Sequence, residues 1–340
     1  MRKLATIEQI KAVTPVPNSD FLDMVQVRGW TVVTKRGEFQ TGDLAVYFEI
    51  DSFLPIKPEF EFLRPSSFRK MGEEEGFRLK TIKLRGQVSQ GLVLPLQNLP
   101  ELGDRSLAIG EDVTDLLGVK LYDPPIPAAL AGQIKGAFPR FIRKTDQDRI
   151  QNLWDEYAPQ FSTLEFEESI KLDGSSMTVY WHDQTIGVCS RNWELAETES
   201  NSLWQVTRTL NLPEKLASLD RSLAIQGELM GPGIQKNNEK LKQANWFVFD
   251  IWDIDQQRYL TAPERYPIVE ALGLQSVPVL SETIAVFAQY PTLQSLLDHA
   301  SGRSLNGVQR EGLVYKSLTL VNGEIISFKV ISNQWLLKQE

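Results

Sequence analysis

The sequence predicts an α+β protein in two parts, a small β-barrel followed by a larger domain of antiparallel sheets flanked by helices. The 340 residues, 42% of them hydrophobic, are enough for two domains with sizeable cores. Short strand patterns separated by Gly turns fill about the first 125 residues, whereas strand and helix patterns mix from about residue 161. A proline-rich stretch at residues 123–127 predicts a linker, because proline fixes φ and removes a backbone donor.

The N-terminal part is predicted to consist of strands with no long helix. The predicted strands are residues 23–27, 30–33, 44–50, 78–85 and 91–96. Short strands with Gly turns suit a small closed barrel, and an OB-fold is the most economical choice. We therefore assign residues 1–125 to an OB-fold domain and residues 126–340 to a second domain.

The strand predicted at residues 78–85 alternates cationic and apolar side chains. Every second side chain of a strand shares a face, so Arg78 and Lys80 should face outward, with Lys83 or Arg85 beside them. For an isolated strand, a solvated face is the simpler interpretation. Because OB barrels commonly bind nucleic acid, a nucleic-acid-binding face is the alternative that stays open.

In the second domain, strand patterns cover residues 164–167, 177–181, 225–229, 246–251, 312–316 and 327–331, and helical patterns cover 200–220, 263–272 and 283–300. Thr145 precedes Asp146 and Asp148. A hydroxyl before acidic residues is typical of a helix start, so Thr145 is predicted to cap a helix there.

Composition restricts the chemistry that the chain can perform. A single cysteine, Cys189, excludes an intramolecular disulfide and favours a reducing compartment. Two histidines, His182 and His299, leave little room for a zinc site or a Ser-His-Asp triad. The chain lacks an apolar run of transmembrane length and a signal-peptide core, so we expect a cytoplasmic monomer with no membrane partner. With a net charge of −8, any nucleic-acid surface must be a local basic patch.

The most informative stretch is Lys171-Leu172-Asp173-Gly174, which two serines follow. A lysine held by a turn is what a covalent nucleotidyl transferase requires, since the amine must attack a nucleotide α-phosphorus in line. A free lysine is protonated at neutral pH, so its pKa must be lowered by burial and by nearby positive charge. Lys316, Lys329 or a divalent metal would supply that charge.

Further short motifs follow Lys171 in order. They are Ser190-Arg191-Asn192, Gly227-Glu228-Leu229, Phe247-Val248-Phe249-Asp250, Glu311-Gly312-Leu313-Val314-Tyr315-Lys316 and Phe328-Lys329. With the Lys171 turn, they resemble the six ordered motifs of the covalent nucleotidyltransferase superfamily, which includes DNA ligases, RNA ligases and capping guanylyltransferases. The resemblance covers roughly residues 165 to 332 and implies that the second domain is an adenylyltransferase domain.

The order of the domains narrows this resemblance. DNA ligases and capping enzymes carry their OB domain after the last motif, whereas here the barrel comes first. That order, together with residues 47–55, 86–92 and 149–152, is similar to RNA ligase family 5, the ATP-dependent Deinococcus and Naegleria type. The resemblance implies sealing of 3′-OH/5′-phosphate nicks in duplex RNA or RNA–DNA hybrids. Its implied cofactors are ATP, which forms a covalent lysyl-AMP and then a 5′-adenylylated strand, and Mg²⁺ or Mn²⁺.

The resemblance implies catalytic roles for three residues. Lys171 would be the nucleophile that becomes lysyl-AMP, Glu311 would handle the metal, and Lys329 would contact the phosphates of ATP together with Lys316. One position departs from the family pattern, in which the last motif often has two lysines spaced K-x-K. Here the first of those positions is Ser327, which leaves Lys329 as the main cation of the motif.

Nucleotide-binding roles are implied for a second group of residues. Glu228 would bind the ribose hydroxyl, and Phe247 would stack on adenine, with Phe249 as the alternative because the two share a strand face. Arg191 would contact the ribose or the RNA 3′ end, and Arg149 the nucleotide or a 5′-phosphate. Taken singly, a strand phenylalanine is more often a core residue.

Two other functions stay open at this point. One is another member of the superfamily, a DNA ligase or a capping guanylyltransferase, against which the domain order argues. The other is a non-catalytic nucleic-acid-binding protein with a decayed transferase domain. The presence of Lys171, Glu228, Glu311 and Lys329 argues against decay.

Overall fold

The computed structural model describes residues 2–123 and 132–338. These residues form two compact units, one of residues up to 123 with 151–155 and 336–338, the other of 132–150 and 156–335. Apart from Asp123, the predicted linker lies outside the described residues, as does the expected domain boundary at 125/126, which stays a prediction. No helix within the described ranges is long and apolar enough to cross a membrane.

The first unit is built mainly from short strands. They are β1 (Ala5–Gln9), β2 (Ala12–Pro15), β3 (Leu22–Val27), β4 (Trp30–Lys35), β5 (Leu44–Phe48), β6 (Ser52–Pro55), β7 (Phe68–Met71), β8 (Glu74–Arg78), β9 (Thr81–Leu84), β10 (Gln87–Gln90), β11 (Leu92–Pro95) and β12 (Lys120–Leu121), with the short helix α1 (Arg64–Ser67) and 3₁₀ turns at Pro58–Leu63, Leu96–Asn98 and Pro100–Leu102. They pair in the orders β1-β5-β11, β2-β3-β4, β12-β6-β8-β7 and β9-β10.

Strand β5 is the centre of this unit. It pairs with β1 on one side and β11 on the other, and both of its faces are covered. Val46 and Phe48 pack into one apolar cluster, whereas Ala45 and Tyr47 pack into another. A strand that is buried on both faces reads as a continuous apolar run, which is why the sequence pattern at residues 44–50 is so strong.

The single strand predicted at residues 78–85 is wrong. Strand β8 ends at Arg78 and β9 begins at Thr81, in a different sheet. Leu79 lies between them, is buried, and exchanges backbone hydrogen bonds with Asp51 and Ser52, so the chain changes direction there. Arg78 donates to Asp51 Oδ1 at 2.9 Å and lies over the Tyr122 ring, and it therefore does not face outward as expected.

The second unit contains longer strands and most of the helices. The strands are β13 (Ile134–Ala137), β14 (Phe166–Lys171), β15 (Ser175–His182), β16 (Thr185–Cys189), β17 (Trp193–Leu195), β18 (Leu223–Met230), β19 (Asn245–Asp253), β20 (Arg258–Tyr259), β21 (Gln275–Ser276), β22 (Val279–Ile284), β23 (Gly312–Ser317) and β24 (Ser327–Ile331). The helices are α2 (Ile150–Gln160), α3 (Ser202–Thr209), α4 (Leu212–Ala217), α5 (Ala262–Ala271), α6 (Val286–Gln289), α7 (Leu293–Ala300) and α8 (Asn333–Leu336), of which residues 151–155 of α2 and Leu336 of α8 are grouped with the first unit.

Two sheets organise this unit. The larger runs β13-β17-β16-β15-β18-β19-β20, with β21 also on β19, and the smaller runs β22-β14-β23-β24. Trp204, Leu216 and Val269 of helices α3, α4 and α5 pack into the same apolar cluster as residues of the larger sheet. The turn at residues 172–174 leads from β14 of the smaller sheet into β15 of the larger one. A Cβ on Gly174 would overlap the Leu229 carbonyl oxygen, so this close approach requires glycine.

The helix start predicted at Thr145 is also wrong. Helix α2 begins at Ile150 and its N-cap residue is Arg149. The preceding residues run beside β24 instead, because Lys329 N–H donates to the Asp148 carbonyl and Arg149 forms a parallel bridge with Lys329. This pairing with a distant strand replaces the local helical hydrogen bonds.

Gly312→Ala is expected to destabilise the protein by about 1–3 kcal/mol. An added Cβ would overlap the Val330 carbonyl oxygen on the paired strand, and this backbone atom is held in the ladder. Urea unfolding would measure the change in the free energy of unfolding. Gly136→Ala in β13 is the control, because nothing lies within 4 Å of its Cβ position. Equal stabilities of the two variants would contradict the expectation.

Candidate active site

The register of two strands brings Lys171 and Glu311 together. Lys171 is the last residue of β14 and lies opposite Gly312 of β23, so Glu311, one residue before β23, is its neighbour. Lys171 Nζ donates to Glu311 Oε2 at 2.8 Å. The two side chains are 28% and 12% exposed, so the Lys171 side chain is partly open to solvent and its partner is mostly buried.

The turn after Lys171 is held by side chains from elsewhere in the unit. Gly174 N–H donates to Glu228 Oε1 at 2.9 Å, and Glu228 lies opposite Ser176 on the β15–β18 ladder. Asp173 Oδ2 accepts a hydrogen bond from Asn238 Nδ2 at 2.8 Å. Glu228 is therefore both a neighbour of the lysine and a support of the turn that presents it. Asn238 was missed by the sequence analysis, because a loop asparagine carries no motif.

The surroundings of Lys171 raise its pKa above the ordinary lysine value. Burial by itself would lower the pKa, but Glu311, Glu228 and Asp173 together stabilise the ammonium more strongly. Lys171 is therefore protonated at neutral pH. This result differs from the lowered pKa that attack requires, because the groups nearest the amine are carboxylates and not lysines.

The surroundings of Glu228 favour its uncharged form. Burial raises the pKa of this carboxyl to about 7, and the negative charges of Glu311 and Asp173 add to the shift, whereas Lys171 and the Gly174 N–H oppose it. Near neutral pH, the Glu228 carboxyl is thus poised between its neutral and charged forms.

Lys316 is buried in an ion pair. Its Nζ donates to Asp250 Oδ1 at 2.8 Å and to the Phe249 carbonyl at 2.6 Å, and the two charged side chains are about 5% exposed. Burial, and the nearby Arg265 charge, lower the pKa of Lys316, against the opposing effects of Asp250 and Glu167. The charge of this lysine is thus largely offset by Asp250 before any nucleotide binds.

A second buried ion pair adjoins the first. Arg265 of α5 donates through Nη2 to both carboxylate oxygens of Glu167 at 2.7 Å, and Tyr266 also donates to this carboxylate. Glu167 lies opposite Lys316 on the β14–β23 ladder. Despite its burial, the pKa of Glu167 is lowered by Arg265 and Lys316. The sequence does not single out Arg265, because an arginine in a helical pattern is usually exposed.

The three lysines of the predicted site share one face of the smaller sheet. Lys171 lies opposite Gly312, Lys329 opposite Val314, and Lys316 opposite Ser327. Directly paired residues share a face and the faces alternate along each strand, so Lys171, Lys316 and Lys329 are on the same side. Ser327 lines a cavity together with Lys316.

The two candidate aromatics lie beside the turn. Phe247 lies opposite Glu228 on the β18–β19 ladder and belongs to the same apolar cluster as Leu172. Phe249 borders the same cluster, and its ring centroid is 5.5 Å from the Lys316 ammonium. The two phenylalanines share a face of β19, as expected. Phe247 is the one that lies closer to the Lys171 turn.

The two candidate arginines have different surroundings. Arg191 is exposed and donates to Asp146 Oδ1 at 3.0 Å. Among the described residues, it has no hydrogen bond or ion pair with Lys171, Glu228 or Glu311. Arg149 is brought beside Lys329 by their backbone bridge. Arg149 is thus placed next to a predicted catalytic residue.

Glu311 is the predicted metal ligand. Within residues 2–123 and 132–338, no cluster of three or more His, Cys, Asp or Glu side chains could hold a metal by itself. Mg²⁺ is commonly held by one or two carboxylates together with substrate phosphates and water. A carboxylate at the position of Glu311 fits that kind of site, in which the nucleotide completes the ligand set.

Comparison with known proteins identifies the family. Residues 164–331 match the family model described as RNA ligase, and residues 4–96 match a model described as an OB-fold domain. The chain belongs to the RNA ligase family, and the predicted α+β fold with an N-terminal OB-fold is confirmed. A search among curated proteins gave no match.

Among solved structures, the chain is similar to the RNA ligase of Naegleria gruberi. The structure of that enzyme with PPi is 45% identical, with a TM-score of 0.89 and 99% of each chain covered. A variant with AMP and Mn is 44% identical, with a TM-score of 0.91 and 99% of each chain covered. A variant with ATP and Mn is 44% identical, with a TM-score of 0.90 and the same coverage. The resemblance to this type of ligase is thereby confirmed.

Relative to wild type, the Glu228→Gln variant is expected to be more stable at alkaline pH than at acidic pH. The folded-state pKa of about 7 lies above the ordinary value of 4.5, so ionisation opposes folding. The cost appears as the pH rises from about 4.5 to 7 and is constant above that. Between pH 5 and pH 8, the difference in unfolding free energy between variant and wild type should change by roughly 2 kcal/mol in favour of the variant.

Urea unfolding at both pH values would measure the Glu228 effect. Glu282→Gln, at an exposed glutamate of β22, is the control and should show no such change. A difference between wild type and Glu228→Gln that is independent of pH would contradict the assigned pKa.

Proposed function

We propose that this chain is an ATP-dependent RNA ligase that seals 3′-OH/5′-phosphate nicks in duplex RNA or RNA–DNA hybrids. The observation that carries the proposal is the Lys171 amine, 2.8 Å from Glu311, on the sheet face that also carries Lys316 and Lys329. Complexes of the Naegleria gruberi enzyme variants with ATP or AMP and Mn support ATP and a divalent metal as cofactors here.

The first step is attack of Lys171 Nζ on the α-phosphorus of ATP. A phosphoramidate N–P bond forms, the bond from the α-phosphorus to the bridging oxygen breaks, and pyrophosphate leaves. The amine must first lose a proton, because only the neutral amine is a nucleophile. The raised pKa of Lys171 means that the lysine is unreactive until nucleotide binding changes its surroundings.

Glu311 is the residue that would hold the divalent cation. When bound there, the cation supplies positive charge beside the amine and the phosphates, which lowers the pKa of Lys171 and neutralises developing negative charge. Lys329 would add positive charge on the same face, where Lys316 would also contact the phosphates although Asp250 offsets much of its charge. With Ser327 in place of a lysine, Lys329 is the main cation of its strand for the phosphates.

The nucleoside would be bound at the turn. Glu228, close to Lys171 and held by the Gly174 N–H, would accept a hydrogen bond from a ribose hydroxyl. Phe247, next to the turn, would stack on adenine, with Phe249 as the alternative. Arg149, beside Lys329, and the exposed Arg191 would bind the nucleotide or the ends of the nucleic acid.

Two further steps complete the reaction. The 5′-phosphate oxygen of the RNA strand attacks the phosphorus of lysyl-AMP, the N–P bond breaks, and Lys171 leaves as an amine. The 3′-hydroxyl of the other strand then attacks the 5′-phosphorus, a phosphodiester forms, and AMP leaves. Both are in-line displacements, in which positioning and charge neutralisation provide most of the catalysis.

Incubation with α-labelled ATP and Mg²⁺ or Mn²⁺ is expected to label the wild-type protein covalently. The label should be acid-labile, as a phosphoramidate is, and Lys171→Ala should abolish it because no other amine occupies that position. Removal of the metal with EDTA should also prevent labelling. Labelled GTP is the control for a capping enzyme, and GTP labelling in place of ATP labelling would support that alternative.

Nicked duplexes with RNA or DNA on either side of the nick are expected to separate the substrates. We expect sealing with RNA at the 3′-hydroxyl end, and a loss of at least tenfold when that end is DNA. Gel electrophoresis of an end-labelled strand measures the product. Equal rates for all four combinations would contradict the assignment to RNA, and a preference for all-DNA nicks would favour a DNA ligase.

A further inference from the structure

The β9–β10 hairpin of the first unit has an anchored base and an exposed cationic tip. At its base, Gln90 donates to Thr81 Oγ1 at 3.1 Å, and Ser89 Oγ accepts from the Val33 N–H of β4 at 3.0 Å. At its tip, Arg85 and Gly86 have positive φ values of 47° and 86°, which is the conformation of a tight two-residue hairpin turn. A fixed base holds the tip in one place.

The tip carries positive charge that no ion pair among the described residues offsets. Lys83 and Arg85 are exposed, and neither takes part in an ion pair within the described part of the chain. Residues 79–100 contain no carboxylate, and the net charge of the whole chain is −8. A local excess of positive charge in an acidic protein indicates an anionic partner.

In the β7–β8 hairpin, by contrast, carboxylates accompany the exposed cations. Strands β7 and β8 also carry exposed cations, Arg69 and Lys70, but Glu73, Glu74 and Glu75 follow them at the turn. Lys70 pairs with Glu75 at 2.9 Å. The exposed cations of this hairpin are balanced by carboxylates, whereas those of the β9–β10 tip are not.

We propose that the tip of the β9–β10 hairpin, through Lys83 and Arg85, contacts the phosphate backbone of the duplex RNA substrate. This proposal rests on the proposed function, which makes RNA the polyanion that the protein must hold. The two side chains are two residues apart at the tip, so they would reach neighbouring phosphates of one strand. Such contacts fix the position of a duplex and carry no sequence information, as suits an enzyme that recognises a nick.

The test compares Lys83→Gln/Arg85→Gln with wild type on a fluorescent nicked RNA duplex. Glutamine keeps much of the length of each side chain and removes the charge. We expect duplex binding to weaken about tenfold near 0.1 M salt, and the slope of log affinity against log salt to become shallower by about 1.8 when two phosphate contacts are lost. Nick sealing should fall in parallel through KM, while covalent labelling with α-labelled ATP should match wild type.

Two variants serve as controls. Arg69→Gln/Lys70→Gln removes the same charge from the balanced hairpin and should bind like wild type. Lys83→Arg/Arg85→Lys keeps the charge and should retain binding and the salt slope. The proposal is overturned if Lys83→Gln/Arg85→Gln binds with wild-type affinity and slope, or if the Arg69/Lys70 variant loses as much. Absence of labelled protein with wild type would instead contradict the proposed function.

Discussion

Four buried charged side chains hold the proposed catalytic site together. Arg265 pairs with Glu167, and Lys316 pairs with Asp250, while Glu167 and Lys316 are opposite one another on adjacent strands. Charges removed from water are costly unless they are paired and hydrogen-bonded, so each side chain restricts where the next can lie. The chain of alternating charges ties helix α5 to β14, β23 and β19, the strands that end in or carry Lys171, Lys316 and Phe247.

A different set of charges acts on the proposed nucleophile, Lys171. Carboxylates surround Lys171 and raise its pKa, and those carboxylates are the groups proposed to bind the ribose and the metal. If Lys171 is the nucleophile, as proposed, the residues that the substrate would engage keep it in its protonated, unreactive form. Binding of the nucleotide would neutralise or occupy these groups, so reactivity and substrate binding are coupled through charge.

The local sequence pattern predicts a strand correctly where the strand is amphipathic or buried on both faces. It fails where hydrogen bonds to residues distant in sequence determine the backbone conformation. Strand β24 occupies the predicted residues, Ser327–Ile331, because its alternation matches burial. The strand predicted at residues 78–85 is interrupted at Leu79 by hydrogen bonds to residues 51 and 52. Thr145 is not a helix cap, because the chain beside it pairs with β24. In both cases, contacts distant in sequence outweigh a local preference.

The sequence by itself determined the family, the fold class and the set of residues proposed to act, because ordered short motifs are local in the chain and specific in combination. Only the tertiary structure decided how those residues are paired. Lys171 and Glu311 are 140 residues apart, and their contact follows from the register of β14 on β23. Burial and the long-range register of the strands also determine the role of Arg265 and the directions of the pKa shifts. Both depend on residues far apart in the chain, so no short motif predicts them.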